Sequence, residues 1–163
     1  MSDFLKLISS YNLFNNLLPG VVFCVLASQL FEVDLVKEDL VTGVFFYYFV
    51  GVVISRIGSI VIEPLLKTLK IIEFTSYQDY LNAKQKDADI SILLEQSNSY
   101  RSILGMVFCL LCTNLHFVLI DWSETFNKHH AVIYITFLLG MFVVAYRKQT
   151  RYIVSRINKV NKA

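Results

Sequence analysis

The chain is poor in the residues that build most soluble architectures. It has only two prolines and six glycines in 163 residues, which excludes a collagen-like or linker-dominated chain. Its three cysteines, Cys24, Cys109 and Cys112, all sit in apolar stretches, so a disulfide-framed secreted module is excluded as well. Charged residues make up 17%, where a soluble domain has about 25%. That scarcity excludes a disordered chain and a coiled coil. Catalytic signatures are missing too: there is no H-E-x-x-H, no P-loop, no G-x-S-x-G and no pair of intramembrane aspartates. No Asn-x-Ser/Thr acceptor site and no internal repeat occurs.

What the chain does have is apolar length. Hydrophobic residues make up 55% and the mean hydropathy is +0.54. Crossing a bilayer takes about 20 mostly apolar residues. The pattern therefore predicts an all-α integral membrane protein of one domain, with four transmembrane helices over residues 11–31, 41–62, 102–120 and 130–147. The second span is the longest, at about 33 Å. The fourth is short, and is completed by His129, His130 and a snorkelling Arg147. The first is the least regular, because Pro19-Gly20 interrupts it and Asn12, Asn15 and Asn16 precede it. It reads as a helix kinked near Pro19. A second reading is an interfacial helix (Phe4, Leu7, Ile8, Tyr11) that turns at Leu18-Pro19-Gly20 into a shorter span. A third is a cleaved signal peptide ending near Val25-x-Ala27, weakened by a single basic residue, Lys6, and by the proline.

Charge sets the orientation. Residues 1–10, 63–101 and 147–163 hold twelve basic residues, whereas the connections between the spans of each hairpin hold Lys37 and Lys128. By the positive-inside rule this predicts two helical hairpins with both termini cytoplasmic, in a bacterial inner membrane. A three-span arrangement would place the basic tail opposite the basic middle segment. The outer loops are expected to be short, about 8–10 residues, so the working face is cytoplasmic: residues 64–100 and the tail.

Residues 64–100 are too polar for the bilayer and too few to fold alone. Ser76-Tyr77-Gln78-Asp79 has the form of a capping box, with Tyr77, Tyr80, Leu81 and Ala88 at near-helical spacing. A second short helix is expected from Asp89 through Ile90, Leu93 and Leu94 to Gln96, ended by Ser97-Asn98-Ser99. The apolar side of this segment must pack on a neighbouring protomer, the ends of the spans or a partner. The second span is expected to run on to about residue 69, with Pro64 marking a kink. The tail carries Arg147, Lys148, Arg151, Arg156, Lys159 and Lys162 with no acid. Ile153, Ile157 and Val160 lie on one side of it. It reads as an anchor along anionic headgroups or a partner-docking helix. It lacks the aromatic platform or glycine-rich loop that would point to nucleic acid.

Arg56 interrupts the second span, with Ser59 and Glu63 on the same helical face. The three form a candidate pore-lining or inter-subunit polar set, and the alternative for Arg56 is snorkelling to the interface. Gly51, Ser55 and Ser59 make a small-xxx-small stripe for helix packing, within one copy or between copies. Cys109, Cys112 and His116 share a face of the third span. Thiols in lipid resist the deprotonation that metal binding requires, so neither a metal nor a cofactor is expected. His129-His130 falls at the outer loop, and Asn114 is expected to bond to another helix.

Two functions fit these residues. One is a homo-oligomeric pore or membrane-perturbing effector, since four spans in a short chain enclose no wide channel alone. The other is a membrane anchor or sensor subunit that docks a cytosolic partner through residues 64–100 and the tail. No catalytic residues are expected. In outline the chain resembles the small four-span membrane proteins of bacterial anti-phage defence cassettes: N-terminus inside, short outer loops, a modest cytoplasmic segment and a basic tail. That resemblance implies a role in permeabilising the cell or in recruiting a soluble partner. It assigns no site residues.

Overall fold

The computed structural model describes residues 13–87 and 89–160, with the side chains of residues 13, 14, 156, 159 and 160 left undescribed. Expectations for Lys6, Phe4, Leu7, Ile8, Tyr11, Asn12, Ala88 and Lys162 lie outside the described residues. Among those described, every regular element is helical. We number the helices α1 (Leu18–Phe31), α2 (Leu40–Thr68), α3 (Tyr77–Lys86), α4 (Asp89–Trp122) and α5 (Glu124–Val160).

Three helices, α2, α4 and α5, are long and apolar enough to cross a membrane. The first apolar helix is shorter: with its preceding turn it covers Asn15–Phe31, about 26 Å. The chain thus has three full-length candidates and one that falls a few ångströms short of the hydrocarbon thickness.

Both prolines are accommodated in the same way. A π turn, Leu13–Leu17, ends two residues before Pro19, and another, Gly58–Ile62, ends two residues before Pro64. A proline ring clashes with the carbonyl four residues back and offers no N–H of its own. The wider turn relieves both problems, and Glu63 N–H reaches back to the Gly58 carbonyl, five residues away. The helix resumes with the proline in its first turn, so α2 runs unbroken to Thr68.

α2 is the axis of the core. Ile54 and Ile57 are buried on it, as are Cys24 and Ala27 on α1 and Met141 and Ala145 on α5. Its crossings with α1 and α4 are glycine-mediated. A Cβ on Gly51 would collide with the Asn16 carbonyl, and one on Gly20 with the Tyr47 carbonyl. On the other side, a Cβ on Gly105 would come within 2.8 Å of the Ile54 carbonyl. The Gly51/Ser55/Ser59 stripe is therefore occupied inside one copy: all three residues are buried. Because lipid tails offer helices no hydrophobic drive to associate, such backbone approach is what joins them. Ser102, fully buried on α4, donates to the Asn15 side-chain oxygen at 2.9 Å and ties α4 to the start of the first helix.

Two boundaries differ from expectation. Ser97-Asn98-Ser99 does not end a helix; α4 runs through it, because Ser99 Oγ donates to the Glu95 carbonyl one turn back and so stays within the helical pattern. The second outer loop shrinks to Ser123, since the polar residues 124–129 join α5. Ser123 ends α4 through its N–H to Leu119 and opens α5 by accepting from Phe126 N–H and Asn127 N–H. The tail, as expected, extends the fourth span as one helix, to Val160. The first connection does have the expected length: it leaves α1 through Glu32 in the left-handed region (φ 55°) and enters α2 at Asp39, which caps Thr42 N–H at 2.7 Å.

Helix α3 begins as a capping box, Ser76 Oγ accepting from Asp79 N–H and donating to its carboxylate. Its apolar side packs on this chain's own tail: Tyr77 stacks on Tyr152 at 5.0 Å between ring centres and Gln78 reaches the Ser155 carbonyl.

Candidate functional site

Helices α2, α4 and α5 converge on one carboxylate. Glu63 is 7% exposed, and leaving an ionised carboxylate there without partners would be strongly unfavourable. Three cations meet it. Lys67, one turn on, lies 2.9 Å from Oε1; Arg101 of α4 lies 2.8 Å from Oε2; Lys148 of α5 stands 3.6 Å from Oε1. Lys148 also donates to Ser59, to its hydroxyl at 2.8 Å and its carbonyl at 3.1 Å. The π turn presents these acceptors: its loosened hydrogen-bond pattern leaves the Ser59 carbonyl available to a side chain.

Beside this network lies a cavity of about 550 Å³ between α2, α3, α4 and α5. Arg56, Ser59 and Glu63 all reach its wall, as the spacing predicts. They do not form a polar set among themselves. Arg56 is exposed and has no ion pair or hydrogen bond among the described residues, while Ser59 and Glu63 are buried with partners from α4 and α5. In an uninterrupted α-helix, seven positions return Glu63 to the Arg56 face; the π turn between them takes up an extra residue and turns Glu63 inward. Tyr77, Tyr80 and Tyr152 line it as well, and Lys67, also on the wall, lies 4.3 Å from the centre of the Phe74 ring.

The tail divides. Lys148 turns into the bundle and is not free for lipid, whereas Arg147 and Arg151 are exposed. Arg156 and Lys159 continue the same helix. Ile153 and Ile157 are exposed on its apolar side.

Arg101 and Lys67 entered the sequence reading only as a span boundary and as part of a basic count. A signal was present: Glu63 is the one acid at the end of the second span, and Arg101 and Lys148 are cations at the matching ends of the third and fourth.

At the opposite end of the α4–α5 hairpin, His116 Nδ1 and the Tyr134 hydroxyl are 2.7 Å apart, ringed by Phe126 and His130. His116 and His130 stand at mirror positions about Ser123. Cys109 is half-buried and Cys112 exposed, and no group of three or more potential metal ligands occurs among the described residues. Compared with protein-family models, curated proteins and solved structures, the chain matches none.

Proposed function

We propose that this chain is a membrane anchor or sensor subunit, seated in a bacterial inner membrane with both termini cytoplasmic, that docks a soluble partner through residues 64–100 and the basic tail. The observation that carries this reading is the burial of Ser59 and Glu63, each 7% exposed, against the chain's own α4 and α5. A pore built from several copies must turn polar side chains towards a shared axis. Here Ser59 and Glu63 of the second span are satisfied inside one copy, so these two have nothing to offer that axis. The apolar windows of α4 and α5, only 11% buried against 39% for α2, suit a lipid-facing surface. Four spans follow if the shorter α1 also crosses, by local thinning of the bilayer.

The homo-oligomeric pore or effector keeps one supporting feature, the exposed and unpartnered Arg56. Of the two roles implied by the likeness to defence-cassette proteins, recruitment of a soluble partner is the one this geometry favours. Co-purification from the native host separates them. The Arg56→Ala chain should retain its soluble companion at wild-type stoichiometry, and an Arg147→Ala/Arg151→Ala chain should lose it while still inserting. Retention by both variants, with altered conductance in Arg56→Ala, would reject the anchor.

A further inference from the structure

The cavity beside Glu63 is strongly unbalanced in charge. Arg56, Lys67, Arg101 and Lys148 line it, and Glu63 is the one carboxylate on its wall, leaving a formal excess of three positive charges. Salt bridges within the protein do not exhaust these cations. Arg56 has no protein partner among the described residues. Arg101 gives one Nη to Glu63 and keeps a buried Nε with no hydrogen-bond acceptor. That Nε is shut off from solvent, so what the cavity offers a ligand is Arg56 and the part of the Arg101 side chain that stays exposed.

The size and the aromatic lining narrow the chemistry. About 550 Å³ falls in the range of small-molecule sites and far exceeds one inorganic anion. The same cavity is also lined by three tyrosines: Tyr77 contacts both Tyr80 and Tyr152, with ring centres 6.1 and 5.0 Å apart. An organic phosphate presents tetrahedrally arranged oxygens to two guanidinium forks at once; a monoester such as AMP carries up to two charges against the excess of three, and a phosphodiester headgroup carries one.

We propose that this cavity binds an organic phosphate, with the phosphoryl group held by Arg56, Arg101 and Lys148 and its organic body against Tyr77, Tyr80 and Tyr152. Two sources share that chemistry: the headgroup of an anionic phospholipid and a soluble nucleotide-like phosphate. The cavity lies where the spans meet the polar segment, within reach of either. The inference does not depend on a docked companion, and it stands or falls separately from the anchor reading.

The test uses the full chain in phospholipid-free maltoside micelles. Isothermal titration and thermal unfolding are followed with AMP, with phosphatidylglycerol in mixed micelles, and with potassium chloride and sulfate at matched ionic strength. AMP or phosphatidylglycerol should bind and raise the unfolding midpoint, and whichever does so identifies the source. Arg56→Gln should weaken that binding by about tenfold or more with the ligand-free midpoint unchanged, and Arg56→Lys should restore most of it. No binding of either phosphate overturns the proposal. So does an equal response to sulfate, or Arg56→Gln binding as well as the wild type.

Discussion

Lys148 donates to the hydroxyl and the carbonyl of Ser59 across 89 positions of the chain, at 2.8 and 3.1 Å. That one ammonium ties the last helix to the π turn of the second and stands 3.6 Å from the Glu63 carboxylate. Ser59 and Glu63, two of the three residues that could mark a channel, are instead cross-linked within one copy.

Glu63→Gln should be the most damaging single change at the site. It keeps the shape but leaves Arg101, Lys148 and Lys67 without their counter-charge. Removing one partner of a buried pair costs about 3–5 kcal/mol, and the partial exposure of the cations brings the expected loss to about 2–4 kcal/mol. Lys67→Ala, at a side chain 42% exposed, should cost under about 1 kcal/mol. Thermal unfolding in micelles distinguishes the two, and equal losses would mean that Arg101 and Lys148 do not hold the carboxylate.

Gly51→Ala should destabilise by about 1–3 kcal/mol or more, because the new methyl runs into backbone at Asn16 with no flexible side chain to move. Gly140, with nothing within 4 Å of its added Cβ, is the control: Gly140→Ala should be neutral or slightly stabilising, since alanine is the better helix former. If both substitutions behave alike in unfolding experiments, α1 and α2 do not meet at this crossing.

How much of this was legible in the sequence depends on range. The apolar stretches of α2, α4 and α5, the Ser76 cap and the existence of a small-residue stripe follow from hydropathy, local side-chain chemistry or helical spacing. That spacing left open whether the stripe packs within one copy or between copies. The ion network does not. Arg101 and Lys148 reach Glu63 from 38 and 85 positions away, and helical periodicity carries no information on which helix end meets which. The π turns were also hidden: Pro19 and Pro64 announce a disturbance, but a kink and a widened turn are equally good answers to a missing N–H. Ser97-Asn98-Ser99 misled for a related reason. Serines favour helix ends only when their hydroxyls find no acceptor one turn back, and Ser99 finds one at Glu95.

Ser102→Ala should cost about 1–3 kcal/mol by orphaning the buried Asn15 side chain. Asn15→Leu combined with Ser102→Ala should cost less than the sum of the two single changes. Strict additivity in a double-mutant cycle would show that the two side chains do not bond.

The cap at Asp39 gives a pH dependence of known sign. Its hydrogen bonds to Thr42 lower its pKa below the usual carboxylate range. The stabilisation is therefore full above the unfolded value of about 3.9 and is lost as pH falls through the lower folded value. Amide exchange at Thr42 and Gly43 should accelerate over that acidic window beyond its intrinsic trend. The Asp39→Asn chain, whose cap does not titrate, should show no such step.

The central claim is that one copy satisfies Ser59 and Glu63 from its own helices and works by docking a partner. The mass of the particle extracted directly into nanodiscs, with every co-purifying protein identified, tests it most directly. The account predicts one or a few copies of this chain holding a soluble companion in fixed ratio. A discrete ring of many copies with no companion would contradict it.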